Sequence, residues 1–216
     1  MRITWYGHAG FLIEGDGHRI IMDPCSSACG YAPVDDTADI VTISHVNPKY
    51  HSCLDAIHGN PIVVNGLEIL ANGCDVDGVQ FEAVEVFEDD TGGGPNAMIC
   101  FTIEGIRIGH MGDLGHALGS DQLETLRDVD LLLALAGGPP TIELADLKKV
   151  IDIVQPAISI PMHYLTDKID MNILPVTAFT ELFPAERIRE RETSWIDIAA
   201  DALPTAPEIH VLQHAR

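Results

Sequence analysis

The chain has 216 residues, 46% of them hydrophobic, so it can bury a substantial core and is expected to fold as a single domain over residues 1–216. Its formal net charge is −21, and only four of its twelve basic residues are lysine. This excludes the clustered Lys and Arg that nucleic acid or an anionic lipid surface requires, and the acidic balance reads as a solvated surface.

Strand signals dominate the first half. Ile3, Trp5 and Phe11 to Ile13 lie in a β-rich opening broken by Gly7 and Gly10, and His18 to Met22 follows a Gly-Asp-Gly turn, which predicts a hairpin. Asp39 to Ser44 (DIVTIS) is a short apolar run of the buried-strand kind. Strand segments are predicted for Pro61 to Asn65 and Leu67 to Leu70, around a turn at Asn65-Gly66, and for Val79 to Phe87. Met98 to Ile103 and Ile106 to Ile108 are joined by Glu104-Gly105, a second hairpin signal. The second half alternates. A helix over Asp121 to Val129 precedes a buried strand at Leu131 to Leu135, and Glu143 to Val154 carries apolar residues at helical spacing up to Pro156. Ala157 to Ile160 is a strand, Pro175 to Phe183 a short helix opened by proline, and Glu208 to Leu212 a last edge strand.

No linker, short repeat or low-complexity tract interrupts this order. The N-terminus lacks the pattern of a signal peptide, and no apolar stretch approaches the ~18 residues of a membrane span. The five cysteines, Cys25, Cys29, Cys53, Cys74 and Cys100, fit neither a disulfide framework nor a zinc ribbon. A cytoplasmic protein with reduced thiols is the expectation.

Buried strands end abruptly in polar residues at several places: His45 to His51 after DIVTIS, Glu88 to Asp90, Asp113 and His116, and His163. Polar groups in loops at the ends of rigid strands are a common way to build a site. Each has a plainer reading when taken alone. A lone strand-end histidine is usually a surface or capping residue, Glu88 to Asp90 before a glycine run is usually solvated, and Asp113 between glycines fits a turn.

Taken together, Trp5-Tyr6-Gly7-His8-Ala9, Asp23-Pro24, Ser44-His45, Gly112-Asp113-Leu114-Gly115-His116 and Pro161-Met162-His163-Tyr164 occur in an order that resembles the metallo-β-lactamase superfamily. The branch it is most similar to holds small metal-dependent hydrolases such as ascorbate-6-phosphate lactonase. The resemblance covers roughly residues 1–185 and implies an α/β fold, a four-layer αββα sandwich. It also implies hydrolysis of an ester, lactone, amide or phosphodiester by water activated between two divalent ions.

The family's ligand pattern is a His-x-His-x-Asp-His run, a later His, a bridging Asp and a final His. Here His45, Asp113 and His163 match, while Asn47, Lys49, Tyr50 and Glu88 stand where the family has other ligands. The resemblance therefore implies one ion held by His45, Glu88, Asp113 and His163, with the amide of Asn47 in reach and Asp113 as the catalytic residue. A donor set of this kind leans toward Mn²⁺ or Mg²⁺ and still admits Zn²⁺. A second ion is expected to be absent. The Lys49 ammonium would sit in its place, paired with Asp113 or Glu88, at a cost to a divalent ion of several kcal/mol at ~4 Å. His51 lies one position beyond the run. A loop bulge near Pro48 would bring it to the pocket, and otherwise it is a surface residue. Asp23 is expected to orient His45, and His8 and His116 to support the pocket by packing or hydrogen bonds.

Two functions follow. One is a hydrolase with a reduced, single-ion site acting on a small ester, lactone or phosphorylated metabolite. The other is a non-catalytic descendant that has lost metal and binds a small molecule or a partner. A homo-oligomer is compatible with either, and no nucleic-acid or membrane partner is expected.

Overall fold

The computed structural model describes residues 1–216. In chain order the elements are β1 (Arg2–Gly7), β2 (Gly10–Gly15), β3 (His18–Met22), β4 (Asp36–Thr37), β5 (Ile40–Ile43), β6 (Ile57–His58), β7 (Ile62–Asn65), β8 (Cys74–Val76), β9 (Val79–Phe87), β10 (Pro95–Ile103) and β11 (Ile106–His110). They continue with α1 (Ser120–Thr125), β12 (Leu131–Leu135), α2 (Leu144–Val154), β13 (Ile158–Met162), α3 (Val176–Thr180), β14 (Ile188–Glu190), β15 (Trp195–Asp197) and β16 (Glu208–Val211). One sheet has six strands in the order β15-β1-β2-β3-β5-β7, the other eight in the order β14-β16-β13-β12-β11-β10-β9-β8, and β4 pairs with β6 apart from both.

Alternation along the strands explains how the first sheet is covered. Ile3, Trp5, Phe11, Ile13, Ile20, Met22 and Ile40 enter the main core of 46 buried residues shared with the second sheet. Their neighbours Tyr6, Leu12, Ile21, Val41 and Ile43 face the other way and form a second cluster with Val34 and Ala38 from the irregular chain between β3 and β7. In the second sheet, β12 and β13 are buried along their whole length. Both faces are therefore covered, which is why LLLAL and ISIPM read as unbroken apolar runs. Leu147, Val150 and Ile151 of α2 join the same core.

Several predicted elements differ from the structure. Leu67 to Leu70 does not continue as a strand. Gly66–Glu68 is a 3-10 turn whose first free amide, on Leu67, is accepted by the Asn65 side chain at 3.1 Å. Gly66 lies so close to β10 that a Cβ would come within 2.6 Å of Ala97 Cβ, and the chain turns there rather than extending. The helix expected over Asp121 to Val129 ends at Thr125. Strands β8, β14 and β15, three residues each, were too short to show a period.

The topology positions the site. β3 runs parallel to β5, β11 to β12, and β12 to β13. Two antiparallel steps give β1 the direction of β3, and two more give β9 the direction of β11. The residues that follow β1, β3, β5, β9, β11 and β13 are His8, Asp23, Ser44-His45, Glu88, Met111 to Asp113 and His163. These six strand ends bring a cluster of polar groups to the rim between the sheets, the usual place for a ligand in an open α/β sheet.

Candidate metal centre

Asp23 is the hub of the buried part. It is 1% exposed and takes three hydrogen bonds: from Ser44 N at 2.7 Å, from Ser44 Oγ at 2.6 Å, and from His51 Nδ1 at 2.8 Å. Burial alone would raise its pKa, but His110, His51 and Ser44 outweigh that and hold it below the ordinary carboxylate value. Ser44 Oγ, having donated to Asp23, can accept from His45 Nδ1 at 3.1 Å. Both imidazoles are thereby protonated on Nδ1, and both turn Nε2 toward the rim. His110 ties the scaffold together, with Nε2 donating to Ala9 O at 2.9 Å and Nδ1 accepting from Gly112 N at 3.0 Å.

Asp113 faces both halves of the cluster. Its Oδ2 is 3.4 Å from His51 Nε2, and its Oδ1 is 3.2 Å from His163 Nε2. Glu88 Oε1 is 3.2 Å from His45 Nε2, without hydrogen-bond alignment. Burial would raise Asp113, yet His163 and His51 hold it well below the usual carboxylate range. Burial, and then Asp113, raise Glu88. The loop carrying Asp113 is pressed against Glu88: a Cβ on Gly115 would come within 1.8 Å of Glu88 O, and Gly115 N donates to Phe87 O at 2.8 Å.

The donors fit a metal ion. His45 Nε2, His51 Nε2 and Asp113 Oδ1 are buried without hydrogen-bond partners. One ligand atom from each of His45, His51 and Asp113 lies within 4.8 Å of the others, and the same holds for His8, His51 and His163. Ligand atoms 2.0–2.1 Å from a tetrahedral zinc are about 3.3 Å apart, and the separations of 3.2, 3.2 and 3.4 Å above match that spacing. Three of the residues at this rim, His8, Asp23 and His163, adopt positive φ of 52°, 40° and 53° without being glycine. Such strained backbone gathers where side chains must be aimed.

The structure corrects the reading of the 45–51 run. Tyr50, His51 and Ser52 all donate their amides to Asn47 O, at 3.1, 2.8 and 3.0 Å, making a helical turn. That turn places His51, fully buried, in the centre of the site. Asn47 Oδ1 accepts from Tyr50 N at 3.4 Å, so its amide caps the turn rather than joining His45. Lys49 is exposed and makes no ion pair with Asp113 or Glu88; its Nζ lies 4.6 Å from the centre of the Tyr50 ring. The electrostatic argument against a second ion therefore falls. Lys49→Ala is expected to leave stability within about 0.5 kcal/mol of the parent and metal content unchanged, as read by calorimetric melting and elemental analysis.

The supporting residues separate in the same way. Asp23 reaches His45 only through Ser44 and holds His51 directly, and Ser44 was not singled out in the sequence beyond its place before His45. Tyr50 is half-buried, with its ring 5.2 Å from that of His8. His116 is committed to the backbone, accepting from Phe87 N at 3.1 Å and donating to Ala117 O at 2.8 Å, and so steadies the strand end that carries Glu88. His8 is fully buried, 4.0 Å from His163 between ring centres.

His51 gives the metal-free site a defined pH response. Burial opposes its charge, but Asp113 and Asp23 prevail and lift its pKa to about 10. A cation on Nε2 must displace that proton, which is held below about pH 10. Apparent metal affinity is therefore expected to rise about tenfold per pH unit through the neutral range. Calorimetry in buffers of different ionisation enthalpy should read about one proton released per ion. No dependence on the buffer would contradict this assignment.

A model of the beta-lactamase superfamily domain matches residues 2–163. The chain belongs to the metallo-β-lactamase superfamily. It is similar to a UPF0173 metal-dependent hydrolase of Pelotomaculum thermopropionicum, 30% identical over 196 residues, which span 77% of this chain and 85% of that one. A UPF0173 metal-dependent hydrolase of Archaeoglobus fulgidus is 26% identical over 195 residues, covering 77% and 84% of the two chains. Among solved structures, a Thermotoga maritima protein assigned as a zinc-dependent hydrolase of this superfamily superposes with a TM-score of 0.81 at 33% identity, over 98% of this chain and 97% of its own. No helix of the chain is long and apolar enough to cross a membrane.

Proposed function

We propose that this protein is a metal-dependent hydrolase of a small ester, lactone or phosphorylated metabolite, with an ion held by His45, His51, Glu88 and Asp113. One observation carries the proposal: the unpartnered Nε2 atoms of His45 and His51 converge with the Asp113 carboxylate in a buried, strand-end cluster. The relatives' description as metal-dependent hydrolases supports the reaction class. A divalent ion at this place supplies a nucleophile from water at neutral pH and polarises the scissile group.

The protein's own residues do the rest. Asp23 and Ser44 hold both imidazoles in the tautomer that leaves Nε2 free, and Asp113 presents one oxygen to each half of the site. Glu88 is the most exposed of the four, at 39% of its side chain. With His51 in the set and Asn47 outside it, the donors are two imidazoles and two carboxylates, a set that suits Zn²⁺ and also admits Mn²⁺. The non-catalytic alternative drew its weight from Lys49 and the missing ligands. Lys49 points away and His51 occupies the centre, which supports the hydrolase reading over that alternative.

The test is elemental analysis of protein purified without chelator, followed by assays on lactone, carboxyl-ester and phosphodiester panels with Zn²⁺, with Mn²⁺ and after chelation. A stoichiometric ion and hydrolysis that chelator abolishes and metal restores are expected. A protein that neither carries nor takes up an ion would overturn the proposal.

A further inference from the structure

We infer that His8 is itself a metal ligand, holding a second ion together with His163 and Asp113. On this view it stands in for the carboxylate that the 45–51 run lacks at Lys49. The inference rests on the hydrolase reading above and assigns a residue outside the ligand pattern given by the resemblance.

The His8 side chain is the least satisfied polar group of the site. It is 0% exposed, and neither Nδ1 nor Nε2 has a hydrogen-bond partner. A buried nitrogen left without a partner is destabilising, so a histidine that merely packs would be an unfavourable filler beside Tyr50. Its surroundings explain its presence. Its ring centre is 4.0 Å from that of His163 and 5.3 Å from that of His51, and one nitrogen from each of the three rings fits within 4.8 Å of the others. His163 Nδ1 is likewise buried without a partner. The nearby ammonium of Lys49 is exposed and lies over the Tyr50 ring, so it does not fill the space between these rings.

The backbone is built to hold this ring. His8 sits in the left-handed region at φ 52°, and its carbonyl accepts from Trp5 Nε1 and from His163 N, both at 3.0 Å. The second of these bonds ties His8 directly to its partner ligand. Asp113 divides its oxygens to suit, Oδ2 toward His51 and Oδ1 toward His163. The single free nitrogen of His51 then serves the first ion, and His8, His163 and Asp113 Oδ1 serve the second.

The experiment is metal stoichiometry. Wild type and His8→Asn, a residue that tolerates left-handed backbone, are stripped, reconstituted with Zn²⁺ or Co²⁺, desalted and measured by elemental analysis, with the cobalt ligand-field absorption recorded. Wild type is expected to hold about two equivalents and His8→Asn about one, with an unchanged circular-dichroism spectrum. Two equivalents in both proteins, or one in both, would overturn the role of His8 while leaving the hydrolase reading in place. No uptake by wild type would overturn both. A variant that fails to fold is covered by nitrogen NMR of the wild-type histidines: the His8 ring resonance should move as the second equivalent of Zn²⁺ is added, and an unmoved resonance would overturn the inference.

Discussion

Asp113→Asn is expected to abolish stoichiometric metal binding and to lower hydrolytic turnover by about 10³-fold or more, roughly 4 kcal/mol of transition-state stabilisation. The physical reason is position. Asp113 is the carboxylate that both halves of the site share, 3.4 Å from His51 Nε2 on one oxygen and 3.2 Å from His163 Nε2 on the other. An amide keeps the shape but removes the negative charge that offsets a divalent ion, and it offers one oxygen where two are used. It also turns an N–H toward one of the imidazoles. Circular dichroism separates this from unfolding, and the fold is expected to persist because the Gly112 to Gly115 loop does not depend on the carboxylate for its backbone bonds. An Asp113→Asn protein that keeps its ion and at least a tenth of its activity would contradict the assignment.

Asp23 variants are expected to show the largest effect on stability. Asp23→Ala strands three buried donors, the Ser44 amide, the Ser44 hydroxyl and His51 Nδ1, at about 3–5 kcal/mol. Asp23→Asn is the more informative change. Its oxygen can still accept from the Ser44 amide, but its NH₂ then faces His51. That reverses the His51 tautomer and puts a proton on the nitrogen needed for metal. Asn is therefore expected to cost less stability than Ala and yet to weaken metal affinity by about 10–100-fold, as other lost hydrogen-bond partners of metal-bound histidines do. Denaturant melts and competitive chelator titrations read the two effects separately. An Asn variant that binds metal like the parent would show that Asp23 supports the fold without setting the tautomer. Because the Asp23 pKa is held low in the folded state, its share of the stability is full above the unfolded value of about 3.9 and is lost as pH falls below it.

Much of the scaffold was legible in the chain because a buried strand leaves a strong local record. DIVTIS, LLLAL and ISIPM are apolar along their length because both faces of their strands are covered, and each stops where the chain leaves the core. His45, Asp113 and His163 could be singled out as candidates because each closely follows the end of a buried strand and matches the ligand pattern that the resemblance implies. The short strands at 74–76, 188–190 and 195–197 left no record, since three residues cannot display a period of two.

The amino-acid sequence on its own determined which strands are buried, which polar residues terminate them and the superfamily they resemble, because these depend on neighbours along the chain. Only the tertiary structure decided which side chains meet. Three amides gathered on Asn47 O wind the 45–51 segment into a helical turn that carries His51 inward and leaves Lys49 in solvent. A bond from His163 N to His8 O joins the first hairpin to the far sheet and brings His8 into the cluster. Both outcomes follow from backbone hydrogen bonds, one of them between segments about 150 residues apart, and spacing along the chain does not encode them.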